Sequence, residues 1–166
     1  LLSIGYAVPG LILAVGIVQL LVRIDVLVSS LDIVLTGSIF GLVLAYLIKT
    51  YALANSSIES GYERISNSID NSALLLGSKG GTLLGRIHFP LLKTSFLTAI
   101  LLVTSEVVKE LPATLILRPF NFDTLSTLTY DMVSQAQFFQ SSVPSLMIIL
   151  VSMPAIFLIN KQMNKD

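Results

Sequence analysis

Glu106, Lys109 and Glu110 close an otherwise apolar run and are the residues of this chain best placed to handle an ion. On a continuous helix, at about 100° per residue, they fall within about a third of the circumference. Carboxylates suit a hard metal cation. Glu106 and Glu110 alone would be a poor site, though, and Tyr130 and Asp131 stand on a later segment, so no metal site is assigned. A charge at mid-bilayer costs about 2.5–3.5 kcal/mol on insertion scales, so such groups face protein or water. Two readings stand side by side. The cluster lines a route or its outer gate, or it sits at the rim, where Lys109 snorkels and pairs with the glutamates.

Covalent chemistry has little to work with. His88 is the only histidine and has two readings, a contact to a partner or headgroup and an ordinary interfacial residue. Neither His88 nor Ser105-Glu106 belongs to a nucleophile, base and orienter set, so the chain is not read as an enzyme. Gly77-Ser78-Lys79-Gly80-Gly81 is glycine-rich but lacks the spacing of a phosphate loop and follows no strand, so any nucleotide must be bound by another chain. Zero Cys excludes a disulfide scaffold or a cysteine-ligated metal. A net charge of zero provides no basic field for nucleic acid.

The elements that must carry these residues are membrane helices. The chain has 166 residues, 54% hydrophobic and only 12% charged, against about 25% charged in soluble domains. Its mean hydropathy is +0.85. Four runs, Ile4 to Val22, Ile33 to Ala54, Leu91 to Leu111 and Val143 to Asn160, approach the roughly 20 apolar residues that a bilayer-crossing helix needs. The expected fold is therefore all-α, a polytopic transmembrane helix bundle. Four spans put loop 55–90 and the tail on one side, with Arg64, Lys79, Arg86, Lys161 and Lys165, and Lys49 and Lys93 at its boundary. Arg23, Arg118 and Lys109 fall on the other side, so the loop and the C-terminus are expected to be cytoplasmic. Pro90 and Pro144 are expected to open the third and fourth spans, and Pro9 and Pro154 to kink theirs. The start, Leu1-Leu2-Ser3, has no basic segment or small-residue cleavage site and reads as a piece of a longer protein.

Within the loop, Ile58, Tyr62, Ile65, Ile69 and Ala73 recur at helical steps and predict one helix over Ser56 to Leu76. Its other face carries Glu59, Glu63, Arg64, Asn67 and Asn71. Ala73 and Gly77 make a small-residue side, and Gly77 is placed to end the helix in a left-handed conformation. Leu83, Leu84 and Ile87 then suggest a short helix along the membrane surface, able to pass a partner's push into the span at Pro90. The stretch from Pro112 to Ser142 is too polar to span, with Leu115-Ile116-Leu117, Phe120 and Phe122 able to dip against the bundle. Thr124 to Gln137 reads as a helix with Leu125, Leu128, Met132 and Ala136 on one face.

Asn71-Ser72-Ala73, Gly77, Ile87 and Phe89-Pro90 resemble, in spacing, the cytoplasmic loop signature of bacterial ABC importer permeases. That signature reads Glu-Ala-Ala, three residues, Gly, nine residues, Ile, one residue, Leu-Pro. Asn71, Ser72 and Phe89 depart from it, and Asn71 removes an acidic residue from the docking contact. The block from Lys109-Glu110-Leu111-Pro112 through Arg118-Pro119 to Leu125, with Tyr6-Ala7-Val8-Pro9-Gly10, resembles the C-terminal half of iron(III)-type permeases. The resemblance covers nearly the whole chain. It implies four spans of a type I importer permease in the bacterial inner membrane, with loop 55–90 docking a dimer of separate ATPase subunits. It also implies an N-terminal homologous half, ferric iron delivered by a periplasmic binding protein, and no cofactor held by the chain itself. Related importers for thiamine, polyamine or phosphonate are the alternatives within transport. An ion-coupled secondary transporter is the alternative of another class, and it would place acidic residues in mid-span.

Overall fold

The computed structural model describes residues 7–29, 34–78 and 80–163. Every regular element among them is helical: α1 (Gly10–Leu27), α2 (Ile39–Glu63), α3 (Asn67–Leu75), a short α4 (Gly80–Leu83), a π-turn (Leu84–His88), α5 (Phe89–Lys109), α6 (Pro112–Leu117), α7 (Leu125–Ser134) and α8 (Phe138–Met163). Four helical stretches are long and apolar enough to cross a membrane: Gly10–Leu27, Ile39–Glu63, Gly80–Lys109 and Phe138–Phe157. The chain folds as a polytopic helical bundle, as its apolar runs predict.

The side chains at the helix ends account for several boundaries. Ser38 caps α2, accepting from the Phe40 N–H at 3.3 Å. Asp25 accepts from Leu35 N at 2.8 Å and Thr36 N at 2.9 Å, which ties the α1–α2 connection back onto α1. Thr124 and Thr127 form a reciprocal capping box that starts α7. Gly77 ends α3 with φ 82°, and Ser78 N reaches Ala73 O at 3.0 Å, the six-to-one bond of a left-handed glycine cap.

Several boundaries differ from the sequence expectation. The first and second spans are expected from Ile4 and Ile33, residues outside those described. Pro9 does not kink α1 but stands immediately before it, where its missing N–H costs nothing. Pro144 does not open the fourth span, because α8 begins earlier, at Phe138, and carries both Pro144 and Pro154 inside it. The single helix expected over Ser56 to Leu76 is broken. α2 runs on to Glu63, and Ser66 then accepts from Ser68 N at 3.3 Å as the cap of a new helix. The surface helix expected around Leu83 to Ile87 is not separate either, for Gly80–Lys109 is continuous. A π-turn joins its two parts, with Phe89 N bonded to Leu84 O. The widened turn lies where a regular helix would press the Pro90 ring onto the carbonyl four residues back.

α2 is central. It packs on α1, α5 and α6; α8 packs on the other side of α5, and α7 lies against α8. The apolar core gathers Ala14, Ile17 and Leu21 of α1, Leu42 and Ala45 of α2, and Ala113 and Leu117 of α6. Small residues permit the close crossings. A Cβ at Gly41 would stand 2.8 Å from Leu21 Cδ1, and one at Gly61 would meet the Ser95 side chain.

Candidate functional site

The charged residues at the end of the third span do not act as one group. α5 stops at Lys109, and Glu110 has extended backbone with ψ 116°, which redirects the chain after it into α6. Glu110 is only 6% exposed and makes an ion pair with Lys49 of α2. Its other carboxylate oxygen accepts from Ala113 N at 3.2 Å, capping the first turn of α6. Its main-chain carbonyl accepts from the Thr114 and Ser126 hydroxyls, both at 2.8 Å. Tyr46 closes the network through a 2.7 Å bond to Thr114. Gly10 leaves room for it, since a Cβ there would lie 2.6 Å from Glu110 Oε1 and 3.4 Å from Lys49 Nζ.

This pair lies between the helices of the bundle. Lys49 stands ten residues after Ile39, about 15 Å along α2 at 1.5 Å per residue, and farther still from Glu63. Lys49 and Glu110, expected near opposite sides of the membrane, meet in the structure, so those two expectations do not hold together. From Glu110 the chain continues as α6, with Thr114 beside Tyr46 and Leu117 beside Gly41, toward the Ile39 end of α2. α6 thus follows the third span, Gly80–Lys109, and the junction between the two is tied to α2 by the buried pair. Leu117 packs in the core as the sequence suggests, whereas Phe120 is 98% exposed and does not dip inward.

Glu106 and Lys109 pair with each other at 2.7 Å and keep 24% and 51% of their side chains exposed. They extend the stripe Ser95, Ala99, Leu102, whose steps of four and three residues put them on one face. At its far end this stripe packs on α2, where Ser57 donates to Ser95 O at 3.4 Å. The exposed apolar stripe of α5, Leu97 and Ile100, points away from them. Glu106 and Lys109 thus lie on a face of α5 different from its exposed apolar stripe and stay partly open among the described residues.

The loop residues separate by exposure. Asn71, Ser72, Gly77, Phe89 and Pro90 are exposed, Ile87 is partly covered, and Ala73 is buried, so Ala73 and Gly77 do not form one exposed small-residue patch. Leu75 and Leu76 are 89% and 86% exposed beside Gly77, with Leu84 also open. His88, expected at the surface under either sequence reading, is instead buried, with Nε2 2.7 Å from Asp70 Oδ1. Among the described residues no group of three or more His, Cys, Asp or Glu is placed to hold a metal ion.

Sequence reasoning missed Lys49 and Asp70. A lone cation in one apolar run and a lone anion in another was the available signal for Lys49. Nothing local marked Asp70.

The bundle thus combines a buried ion pair at the end of its third span with a loop that offers apolar side chains. The chain is similar to an iron(III)-transport permease. It is 27% identical, over 156 residues, to the Fe(3+)-transport system permease protein FbpB 2 of Haemophilus influenzae. The matched stretch is 94% of this chain but 29% of that protein, so the chain spans less than a third of its relative's length. No protein-family model matches, and no solved structure matches. With four apolar helices, the similarity supports a multi-pass membrane protein of the permease kind.

Proposed function

We propose that this chain is part of the membrane subunit of an ATP-driven importer that passes ferric iron received from a periplasmic binding protein. The observation that carries the reading is the similarity to an iron(III)-transport permease along 94% of the chain. The Lys and Arg distribution supports an inner-membrane orientation with loop 55–90 cytoplasmic. In this reading a separate ATPase dimer docks on the exposed Asn71, Ser72, Gly77, Phe89 and Pro90 and the partly covered Ile87, with Ala73 buried beneath them. The exposed Leu75 and Leu76 beside the Gly77 cap supply apolar contact area in place of the acidic residue that Asn71 replaces. Glu106 and Lys109 face the translocation path, and Glu110 acts from behind it by tying the junction of α5 and α6 to α2. The chain performs no covalent chemistry, and ATP is bound by the partner. An ion-coupled carrier would need an acidic group free to load and release, whereas Glu110 is held by Lys49 and Glu106 by Lys109.

Co-purification of the full-length protein with its ATPase tests the docking. Gly77→Glu puts a charge at the loop, while Gly77→Ala carries the same backbone cost at φ 82°, about 1–2 kcal/mol, without it. Gly77→Glu is expected to lose the ATPase and ATP-coupled uptake, and Gly77→Ala to keep both in large part. Unimpaired binding and transport in Gly77→Glu would overturn the docking assignment. Uptake of thiamine, a polyamine or a phosphonate in place of ferric iron by the reconstituted system would redirect the substrate.

A further inference from the structure

His88 touches all three pieces of the loop region. Its ring lies 5.2 Å from that of Tyr62 in the last turn of α2, at a 54° tilt. Its Nε2 is 2.7 Å from the carboxylate of Asp70 in the first turn of α3. Its own backbone is the last residue of the π-turn, directly before Phe89 and Pro90 open α5. The side chain is 3% exposed although Arg86 and Phe89 on either side are open. Its Nδ1 is buried with no partner among the described residues, so the ring is not arranged to reach out to another protein.

We propose that His88 is a positioning residue, the strut that carries displacement of α3 into the third span. The inference rests on the reading of loop 55–90 as the docking surface and deepens it by naming the route inward. A push on α3 moves Asp70, Asp70 moves the His88 ring, and His88 is part of the helical stretch Gly80–Lys109 that leads to Glu106 and Glu110. Tyr62 backs the ring, so the load goes along α5 and does not dissipate as a swing of the imidazole. The π-turn puts the contact at the point where the helix is widened and its hydrogen bonding is least regular.

The test uses the full-length permease with its ATPase and binding protein in proteoliposomes, with assembly and ferric ion transported per ATP hydrolysed as separate readouts. Association of the unmodified permease with the ATPase judges the docking reading before any variant is made. His88→Leu and Asp70→Leu are expected to assemble and hydrolyse ATP normally while transport per ATP falls about tenfold, the usual scale of coupling between sites. His88→Gln keeps a donor toward Asp70 and is expected to retain most transport, which a general packing role would not predict. These 166 residues contain no cysteine, so an Asp70→Cys, His88→Cys pair can be bridged here by a short thiol-reactive linker. The bridged pair is expected to regain the transport that the unbridged pair lacks. Parental transport per ATP in assembled His88→Leu, or a bridged pair no better than the unbridged one, overturns the strut. Should His88→Leu fail to assemble, the bridged pair decides.

Discussion

Lys49 and Glu110 show how much a single residue pair can decide in a membrane bundle. Each alone would be an uncompensated charge in an apolar interior, and losing one partner of a buried pair typically costs about 3–5 kcal/mol. Lys49→Met and Glu110→Met should each destabilise the full-length protein on that scale. The double variant should recover most of the loss, short of about 1 kcal/mol for the α6 cap that Glu110 provides through Ala113 N. Thermal unfolding in detergent, followed by size-exclusion chromatography, checks this; two additive single losses would show that the pair is not coupled. At this scale the sequence was misleading for a definite reason. Spacing along α5 groups Glu106, Lys109 and Glu110, but Glu110 reaches Lys49 on α2 while Glu106 and Lys109 pair with each other.

At the scale of elements, helix existence was legible and helix continuity was not. Apolar runs announced the four spans, and the Gly77 cap and the Thr124 start of α7 were readable from residue type. The break after Glu63 was hidden because Ile65 and Ile69 keep helical spacing across it, while Ser66 provides the competing cap. Close packing of α2 on α5 at Gly61 was hidden too, since a glycine in a helix reads as a weak point until its neighbour is known. A Cβ at Gly61 would run into Ser95 and lie 3.3 Å from Leu92 Cδ2. Gly61→Ala is therefore expected to lower stability by about 1–3 kcal/mol, the usual cost of overpacking. Adding Ser95→Gly should restore much of it in the same unfolding assay, and no rescue would place the cost elsewhere.

The whole molecule presents two kinds of surface. α8 shows Val143, Leu146, Met147, Leu150 and Phe157 outward, as a helix in lipid does. Glu106 and Lys109 instead pair with each other on a different face of α5 from its exposed Leu97 and Ile100, and lipid would solvate such charges poorly. If that face lines the proposed path, Glu106→Gln with Lys109→Gln should lower ferric ion uptake several-fold at unchanged expression and thermal stability. If the face meets lipid, removing both charges should leave uptake unchanged and stabilise the protein.

Composition and run length by themselves determined that this chain forms membrane helices, because a bilayer leaves a backbone no other partner than its own turns. Residue type also determined how α3 ends, since a left-handed cap is settled by its nearest neighbours. Only the tertiary structure decided that Lys49 meets Glu110, 61 residues away, and that His88 meets Asp70, 18 residues away. Such pairings follow from which helix faces pack together and how far each helix slides along its neighbour. Those choices are made by small residues such as Gly10, Gly41 and Gly61, whose fit is a property of the partner surface and not of the sequence around them.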